Sequence, residues 1–232
     1  MTMSSYLLLA AILPAIVLLV RVYRLDRVEK EPVGLIILLI FGGILAAGAA
    51  ALLERILGGV LFLFAREGSL RYLVLENFLV IACSEELTKR LPIRLFAWKR
   101  PAFNYRFDAV VYCAASALGF AAIENVLYVA QYGFSTAVTR ALLAVPGHFF
   151  FAVYMGIYLG QAKLAEKYGE TAAKKHFLRL SVLVPVLLHG FWDFCLSFES
   201  GFMTAVFFAF VIGFFLHANT MLNRASASDT PV

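Results

Sequence analysis

Long apolar stretches separated by short polar segments run through almost the whole chain. Seven of these stretches are close to the length of about 20 residues that a bilayer-spanning helix needs, and a short polar tail follows the last one. The pattern therefore predicts an all-α, polytopic transmembrane bundle. We place the spans near residues 5–20, 32–53, 70–91, 107–131, 135–162, 177–198 and 202–222.

The first apolar stretch and the short one near residue 56 differ in their expected relation to the membrane. The first span lacks a small-residue cleavage site before its basic flank, so we expect it to be retained and not to be a cleaved signal peptide. Residues 56–64 are too short to cross a bilayer alone, and we expect the segment from residue 56 through Gly68 to be an interfacial helix or a re-entrant loop. No repeat or flexible linker divides the chain, so residues 1–232 are expected to form one domain.

The composition excludes a soluble domain. Hydrophobic residues make up 62% of the chain and charged residues only 15%, so the expected surroundings are a lipid bilayer. The net charge of +5 does not indicate nucleic-acid binding, because the basic residues lie in short loops, where they set topology. The three cysteines lie in apolar segments without metal-ligand spacing and are expected to be packing residues.

Lysine and arginine are distributed unevenly between the two sets of loops. The loops after spans one, three, five and seven, counted together with the adjoining ends of the spans, hold 16 of the 20 basic residues. Cytoplasmic loops carry such an excess, so we expect the N-terminus outside and the C-terminus in the cytoplasm. The opposite loops are assigned only Arg55, Arg66, Arg71 and Arg140.

Acidic and histidine side chains occur inside four of the predicted spans. A carboxylate within a bilayer costs a few kcal/mol unless it is paired, protonated or bound to a cation, so such residues indicate function. Span three also carries Lys89 and Arg90. The candidate residues are Glu85 and Glu86 in span three, Glu124 in span four, His148 in span five, and His189 with Asp193 in span six.

The spacing of these residues leaves more than one interpretation open. Glu85 and Lys89 are four residues apart, as are Glu86 and Arg90, so two ion pairs at the membrane boundary are an alternative to a functional role. Adjacent residues point about 100° apart on a helix, so only one glutamate can aim squarely into the bundle. Glu124 has no basic residue within a turn, and its partner must come from another helix, from water or from an ion.

The histidines are also open to two interpretations. His189 and Asp193 are four residues apart, so the carboxylate can accept from one imidazole nitrogen while the other faces a substrate or a metal. His148 alone can equally well hydrogen-bond a neighbouring helix.

The predicted depths of two acids do not coincide. At about 1.5 Å per residue, Glu85 lies roughly 22 Å below the outer start of span three, and Glu124 lies roughly 25 Å above the inner start of span four. The hydrocarbon core of a bilayer is about 30 Å thick, so these two acids would lie at different depths in the membrane. Either the span boundaries differ from those predicted, or tilted helices and a wet cavity connect the two levels.

Four motifs occur in order on four predicted spans. They are Glu85-Glu86-x-x-Lys89, Phe120-x-x-x-Glu124-Asn125, His148, and His189-x-x-x-Asp193. This order resembles the PrsW family of intramembrane proteases, which cut anti-sigma factors at the first step of their destruction. That family is related to the CAAX-prenyl endopeptidases and the bacteriocin-processing enzymes. The resemblance covers residues 85–193 and implies the cell membrane of a bacterium or an archaeon.

The resemblance also implies a role for each matching residue. Glu85 would be the general base that activates water, with Glu86 supporting it. Glu124 sits where relatives in the wider superfamily carry a water-activating histidine. His189 and Asp193 take the place of a His-x-x-x-Asn pair that resembles an oxyanion stabiliser. Both departures, glutamate for histidine and aspartate for asparagine, add negative charge.

That negative charge leaves two mechanisms open. Carboxylates and histidines crowded in an apolar site repel one another unless some are protonated or a cation sits among them. A zinc ion with one open position for water would satisfy the site. A metal-free site would instead need one protonated and one ionised carboxyl group. The candidate ligands are Glu85, Glu86, Glu124, His148 and His189.

Three functions remain open from the sequence. The first is an endopeptidase that cleaves a single-pass membrane protein, such as an anti-sigma factor, near the outer leaflet. The second is a prenyl-protein or peptide-processing protease of the same superfamily. The third is not an enzyme but a scaffold, or a proton-relay or transport protein, whose intramembrane acids and histidines hold helices together or relay protons.

Overall fold

A computed structural model describes residues 5–232 of the chain. This part is almost entirely helical and contains no β-strand, only an isolated bridge between Tyr105 and Pro231. The predicted all-α class is therefore confirmed. The helices are α1 (Ser5–Leu25), α2 (Val33–Leu61), α3 (residues 70–97), α4 (Asp108–Tyr132), α5 (Phe134–Leu142), α6 (Ala144–Lys167), α7 (Thr171–Leu196) and α8 (Gly201–Ala227).

Six helical segments of the described part are long and apolar enough to cross a membrane. They are α1, α2, α4, the combined segment of α5 and α6, α7 and α8. Helix α3 is also continuous but carries more polar residues. The chain is thus a transmembrane helical bundle, while the count of seven spans and the orientation of the termini stay predictions.

The helices differ from the predicted spans at several ends. Helix α2 continues to Leu61, so the interfacial or re-entrant segment expected from residue 56 is wrong for residues 56–61. The charged residues Glu54 and Arg55 do not end the helix, because apolar sequence without a proline follows them. The predicted span 135–162 is instead divided at Leu143. Pro146 explains this break, since its ring nitrogen cannot donate to the preceding turn.

Helix α3 alternates between two backbone hydrogen-bonding patterns. One π-helical segment separates its two α-helical segments and another follows the second. Such wider turns are rare and are frequently found at functional sites. The second π-helical segment begins directly after Pro92, which has no N–H to continue the α-helical ladder. The segments are α-helix Leu70–Leu75, π-helix Glu76–Ala82, α-helix Cys83–Pro92 and π-helix Ile93–Ala97.

Helices α4 and α6 form the centre of the bundle. Both are buried along most of their length, and many of the α4 side chains are alanines. Large apolar side chains on α1, α2 and α8 are exposed on the outside of the protein. An apolar exterior of this kind suits contact with lipid hydrocarbon.

Glycines allow α2 and α4 to approach closely. A Cβ atom added to Gly43 would lie 1.9 Å from the carbonyl oxygen of Ser116, and one added to Gly119 would lie 2.2 Å from that of Ile40. Small residues at helix contacts are typical of membrane bundles, in which close packing replaces the hydrophobic effect between helices. A further glycine, Gly133, has φ +84° and joins α4 to α5 in a single residue.

The Gly43→Ala variant is expected to be less stable by about 1–3 kcal/mol, because the added methyl group forces α2 away from α4. Thermal unfolding of the purified variant in detergent measures the effect. Gly48→Ala is the matched control on the same helix, where nothing lies within 4 Å of an added Cβ, and it should be neutral or stabilising by up to about 1 kcal/mol. Equal unfolding temperatures for the two variants would contradict the close contact.

The predicted orientation can be tested by thiol labelling in a variant without native cysteines. A cysteine at Lys175, which is exposed near the start of α7, should react with a membrane-impermeant reagent only when the membrane has been opened. A cysteine at Glu67, exposed between α2 and α3, should react in intact cells. The reverse pattern would place the N-terminus in the cytoplasm.

Candidate active site

Side chains from several helices converge on one cavity of about 450 Å³. The structure thus brings together acids that the sequence placed at different depths. Glu86, the remaining candidate, lies behind the cavity wall and is 1% exposed. The predicted site residues that line the cavity are Glu85 of α3, Glu124 of α4, His148 of α6, and His189 and Asp193 of α7.

Lys89 places a positive charge among these groups. Its ammonium nitrogen lies 2.8 Å from Glu85 Oε2 and 2.7 Å from Glu86 Oε1. It also lies 2.9 Å from His148 Nδ1. In the described part of the chain Glu86 pairs with Lys89 and not with Arg90, so the second ion pair considered from the spacing is wrong. A single lysine serves both acids because residues three and four positions apart share one helix face.

The hydrogen bonds of His148 fix the position of its ring proton. An ammonium group can only donate, so Nδ1 accepts from Lys89. The neutral ring then carries its proton on Nε2, which donates to Glu124 Oε2 at 2.9 Å. His148 therefore connects the acidic pair of α3 with the acid of α4.

In His189, unlike His148, the ring nitrogen Nδ1 carries a proton. Its Nδ1 donates to Glu86 Oε1 at 2.9 Å, because a carboxylate oxygen can only accept. Its Nε2 lies 3.8 Å from Glu85 Oε2 and 3.2 Å from Asp193 Oδ2. The ring stacks on Phe151, with 4.9 Å between centroids. These contacts direct Nε2 of His189 towards Glu85 and the cavity.

Arg140 of α5 compensates the charge of Glu124. Its Nη2 lies 2.8 Å from Glu124 Oε2, and its Nε donates to Asn125 Oδ1 at 3.0 Å. Asn125 in turn donates to the carbonyl oxygen of Ala11 in α1 at 2.7 Å. Of the three sources considered for the partner of Glu124, another helix supplies it in this structure. The asparagine of this motif positions Arg140 and ties α1 to α4.

The sequence pattern does not single out two residues of the cavity wall, Arg140 and Glu54. Counting loop charges assigns Arg140 to an outer loop although it falls inside the predicted span 135–162. Glu54 marks the end of a predicted span, whereas it lies inside α2. The sequence feature that could have identified both residues is a charged side chain with apolar sequence on either side of it.

Three of the candidate residues fit a zinc ion. Glu85, His148 and His189 are buried, and each offers one ligand atom within 4.8 Å of the others. Two imidazoles and one carboxylate form a ligand set of catalytic zinc that leaves a position for water. Both nitrogens of His148 already have partners, Lys89 and Glu124. A metal bound there would have to displace one of them.

Known proteins resemble this chain over most of its length. The chain is 34% identical over 190 residues to protease PrsW of Geobacillus kaustophilus, covering 82% of this chain and 79% of that protein. It is 35% identical over 187 residues to protease PrsW of Halalkalibacterium halodurans, with 81% of each covered. It is 32% identical over 194 residues to protease PrsW of Bacillus subtilis, again with 81% of each covered.

The family comparison extends beyond the four motifs. A family model described as "PrsW family intramembrane metalloprotease" matches residues 31–218, whereas the resemblance read from the motifs covers residues 85–193. No solved structure matches the chain significantly. The family predicted from the motifs is confirmed by the family model and the relatives together. The chain belongs to the PrsW family of intramembrane proteases.

Proposed function

We propose that this chain is an endopeptidase that hydrolyses a peptide bond of a membrane protein inside the bilayer. The observation that carries the proposal is the convergence of Glu85, Glu124, His148 and His189, from four different helices, on one cavity. Peptide hydrolysis needs water and polar groups, and lipid hydrocarbon supplies neither. A cavity lined by acids and histidines supplies the polar groups and has room for water.

We propose further that the site works with a zinc ion held by Glu85, His148 and His189. The support is their donor set and spacing, together with the family description as metalloproteases. When bound, zinc lowers the pKa of its water and polarises the peptide carbonyl group. Glu124, which lines the cavity beside His148, would then accept the proton of the attacking water. Without zinc, Glu85 would be the general base and a neighbouring acid would stay protonated.

The remaining groups position these residues. Glu86 accepts from His189 Nδ1 and thereby leaves Nε2 directed at the cavity, as a carboxylate behind a metal-binding histidine does. Asp193 lies beside the same Nε2 and would stabilise a positive charge on the ring. Arg140 and His148 both contact Oε2 of Glu124. Glu124 is thus fixed between two partners before a substrate enters.

The proposed substrate is a single-pass membrane protein, in particular an anti-sigma factor. The family resemblance supports this substrate class. The proposed location is the cell membrane of a bacterium, in keeping with the bacterial relatives.

Glu85→Gln, Glu124→Gln and His189→Ala are each expected to lower cleavage by at least about 100-fold, because each removes a group that takes or holds a proton or a ligand position. Comparison of membrane proteins in cells that produce the wild type or a variant measures cleavage. Uncut substrate should accumulate with every one of the three variants. The accumulating proteins would also identify the substrate class.

Glu76→Gln is the matched control, because Glu76 lies on the same helix as Glu85 and bonds Tyr72 outside the cavity. It should cleave like the wild type. Cleavage at the wild-type rate by all three site variants would exclude the protease proposal. Failure of those variants to assemble in the membrane would instead support a scaffold role.

Removal of the metal tests the zinc version separately. Chelation should abolish cleavage by the purified protein and added zinc should restore it, with about one ion per chain in the wild type. His148→Ala and His189→Ala should contain less zinc. Lys89→Met removes the ammonium group that contacts Glu85 and His148. The fraction of this variant that assembles in the membrane should bind zinc at least as well as the wild type, because the ion then compensates the charge that Lys89 left. Full activity in a preparation that elemental analysis shows to be free of metal would reject zinc and leave Glu85 as the base.

A further inference from the structure

Four carboxyl side chains meet at the end of the bundle where α1 ends and α4 begins, and none of them lines the active-site cavity. Asp26 and Glu31 belong to the connection between α1 and α2, Asp108 is the first residue of α4, and Asp229 follows α8. One oxygen from each of the three aspartates lies within 4.8 Å of the others. Asp26, Glu31 and Asp108 are at most 1% exposed.

Each of these side chains directs at least one buried oxygen that has no hydrogen-bond partner within residues 5–232. Asp26 is the strongest case, because both of its oxygens lack a partner although the residue is 1% exposed. Buried polar atoms are nearly always hydrogen-bonded or bound to an ion. The atoms are Asp26 Oδ1 and Oδ2, Glu31 Oε1, Asp108 Oδ1 and Asp229 Oδ2.

The backbone orients two of the aspartates towards this point. Asp108 Oδ2 accepts the N–H groups of Asn104 and Tyr105 at 2.9 and 2.7 Å. Asp229 Oδ1 accepts the N–H of Phe107 at 2.9 Å. In both residues one oxygen is fixed by backbone donors, so the other is held in place within the cluster. The second oxygen of Asp108 lies close enough to Glu31 for a proton to be shared between the two carboxyl groups.

Basic side chains near the cluster are occupied elsewhere. Lys30 donates to the backbone carbonyl oxygens of Tyr23 and Asp26, and Arg106 donates to that of Ser228. Among the described residues, none of the ion pairs includes an acid of this cluster.

We propose that Asp26, Asp108 and Asp229 bind a hard divalent cation, Mg²⁺ or Ca²⁺, and that Glu31 supports the same site. The donors are all carboxylate oxygens, which these two ions prefer. The cluster contains neither the imidazole nor the thiolate ligands that select zinc or copper. Two positive charges would offset most of the negative charge that three converging aspartates bury. This inference does not depend on the proposed function of the active site.

The cation would join three segments that are distant in sequence. The C-terminal tail already lies against the segment before α4, since Val232 N–H donates to the carbonyl oxygen of Asn104 at 2.7 Å. Ser226 donates to the carbonyl oxygen of Leu25 at the end of α1. An ion shared by Asp26, Asp108 and Asp229 would add bonds between the same segments. It would stabilise the folded state, because the three aspartates converge only there.

Terbium luminescence tests the proposal on the purified full chain in detergent. Tb³⁺ replaces Ca²⁺ in oxygen sites and emits when a nearby aromatic side chain is excited, and Tyr112 is suitably placed because its hydroxyl group donates to Glu31. The wild type should show saturable emission that Ca²⁺ or Mg²⁺ displaces. The ion that displaces Tb³⁺ at the lower concentration is the one that the site binds more tightly. Asp26→Asn and Asp229→Asn should each weaken Tb³⁺ binding by at least about tenfold.

Two controls make the result specific. Glu170→Gln changes an exposed acid in the loop after α6 and should leave Tb³⁺ binding unchanged. His148→Ala changes the active site and should also leave it unchanged. Absence of emission from the wild type, or wild-type affinity in both aspartate variants, would overturn the proposal. Emission that is lost in His148→Ala but kept in Asp229→Asn would assign the ion to the active site and would overturn it too.

Discussion

The ammonium group of Lys89 is the contact on which the active site depends. It touches Glu85, Glu86 and His148 at hydrogen-bond distance while being almost fully buried. Removing one partner of a buried ion pair costs about 3–5 kcal/mol, because it leaves an uncompensated charge in an apolar interior. Lys89 therefore makes it possible for two adjacent carboxylates to be buried in a membrane bundle before any substrate is bound.

Two positive side chains do not balance all of the negative charge at the site. Lys89 and Arg140 compensate the acids of α3 and α4, but Asp193 and Glu54 also line the cavity. The remaining negative charge is what a bound divalent cation, or protons on some carboxyl groups, would offset. The same physical problem recurs at the other end of the bundle, where the acidic cluster of Asp26 lacks a basic partner among the described residues.

The apolar pattern predicted the fold class because lipid forces each span to be a continuous apolar helix. It predicted helix ends less well, since α2 extends past the charged pair at Glu54 and a proline divides the segment of His148. The cost of burying charge identified the acids and histidines of the site. The partners of each group follow from side-chain direction and helix packing, which a one-dimensional pattern does not contain. Arg140 was therefore assigned to a loop although it bonds Glu124.

The hydrogen bonding of an α-helix limits the form in which a polypeptide can be cut at a site enclosed between helices. Each carbonyl group in the middle of a helix accepts from an N–H four residues later and is surrounded by side chains, so it is not free to face the groups that line the cavity. A helical substrate would therefore have to become extended around the bond that is hydrolysed. Unwinding exposes backbone groups that lipid cannot satisfy. Segments that contain glycine or proline unwind at lower cost, so helix stability, and not side-chain recognition alone, would decide which bond is hydrolysed.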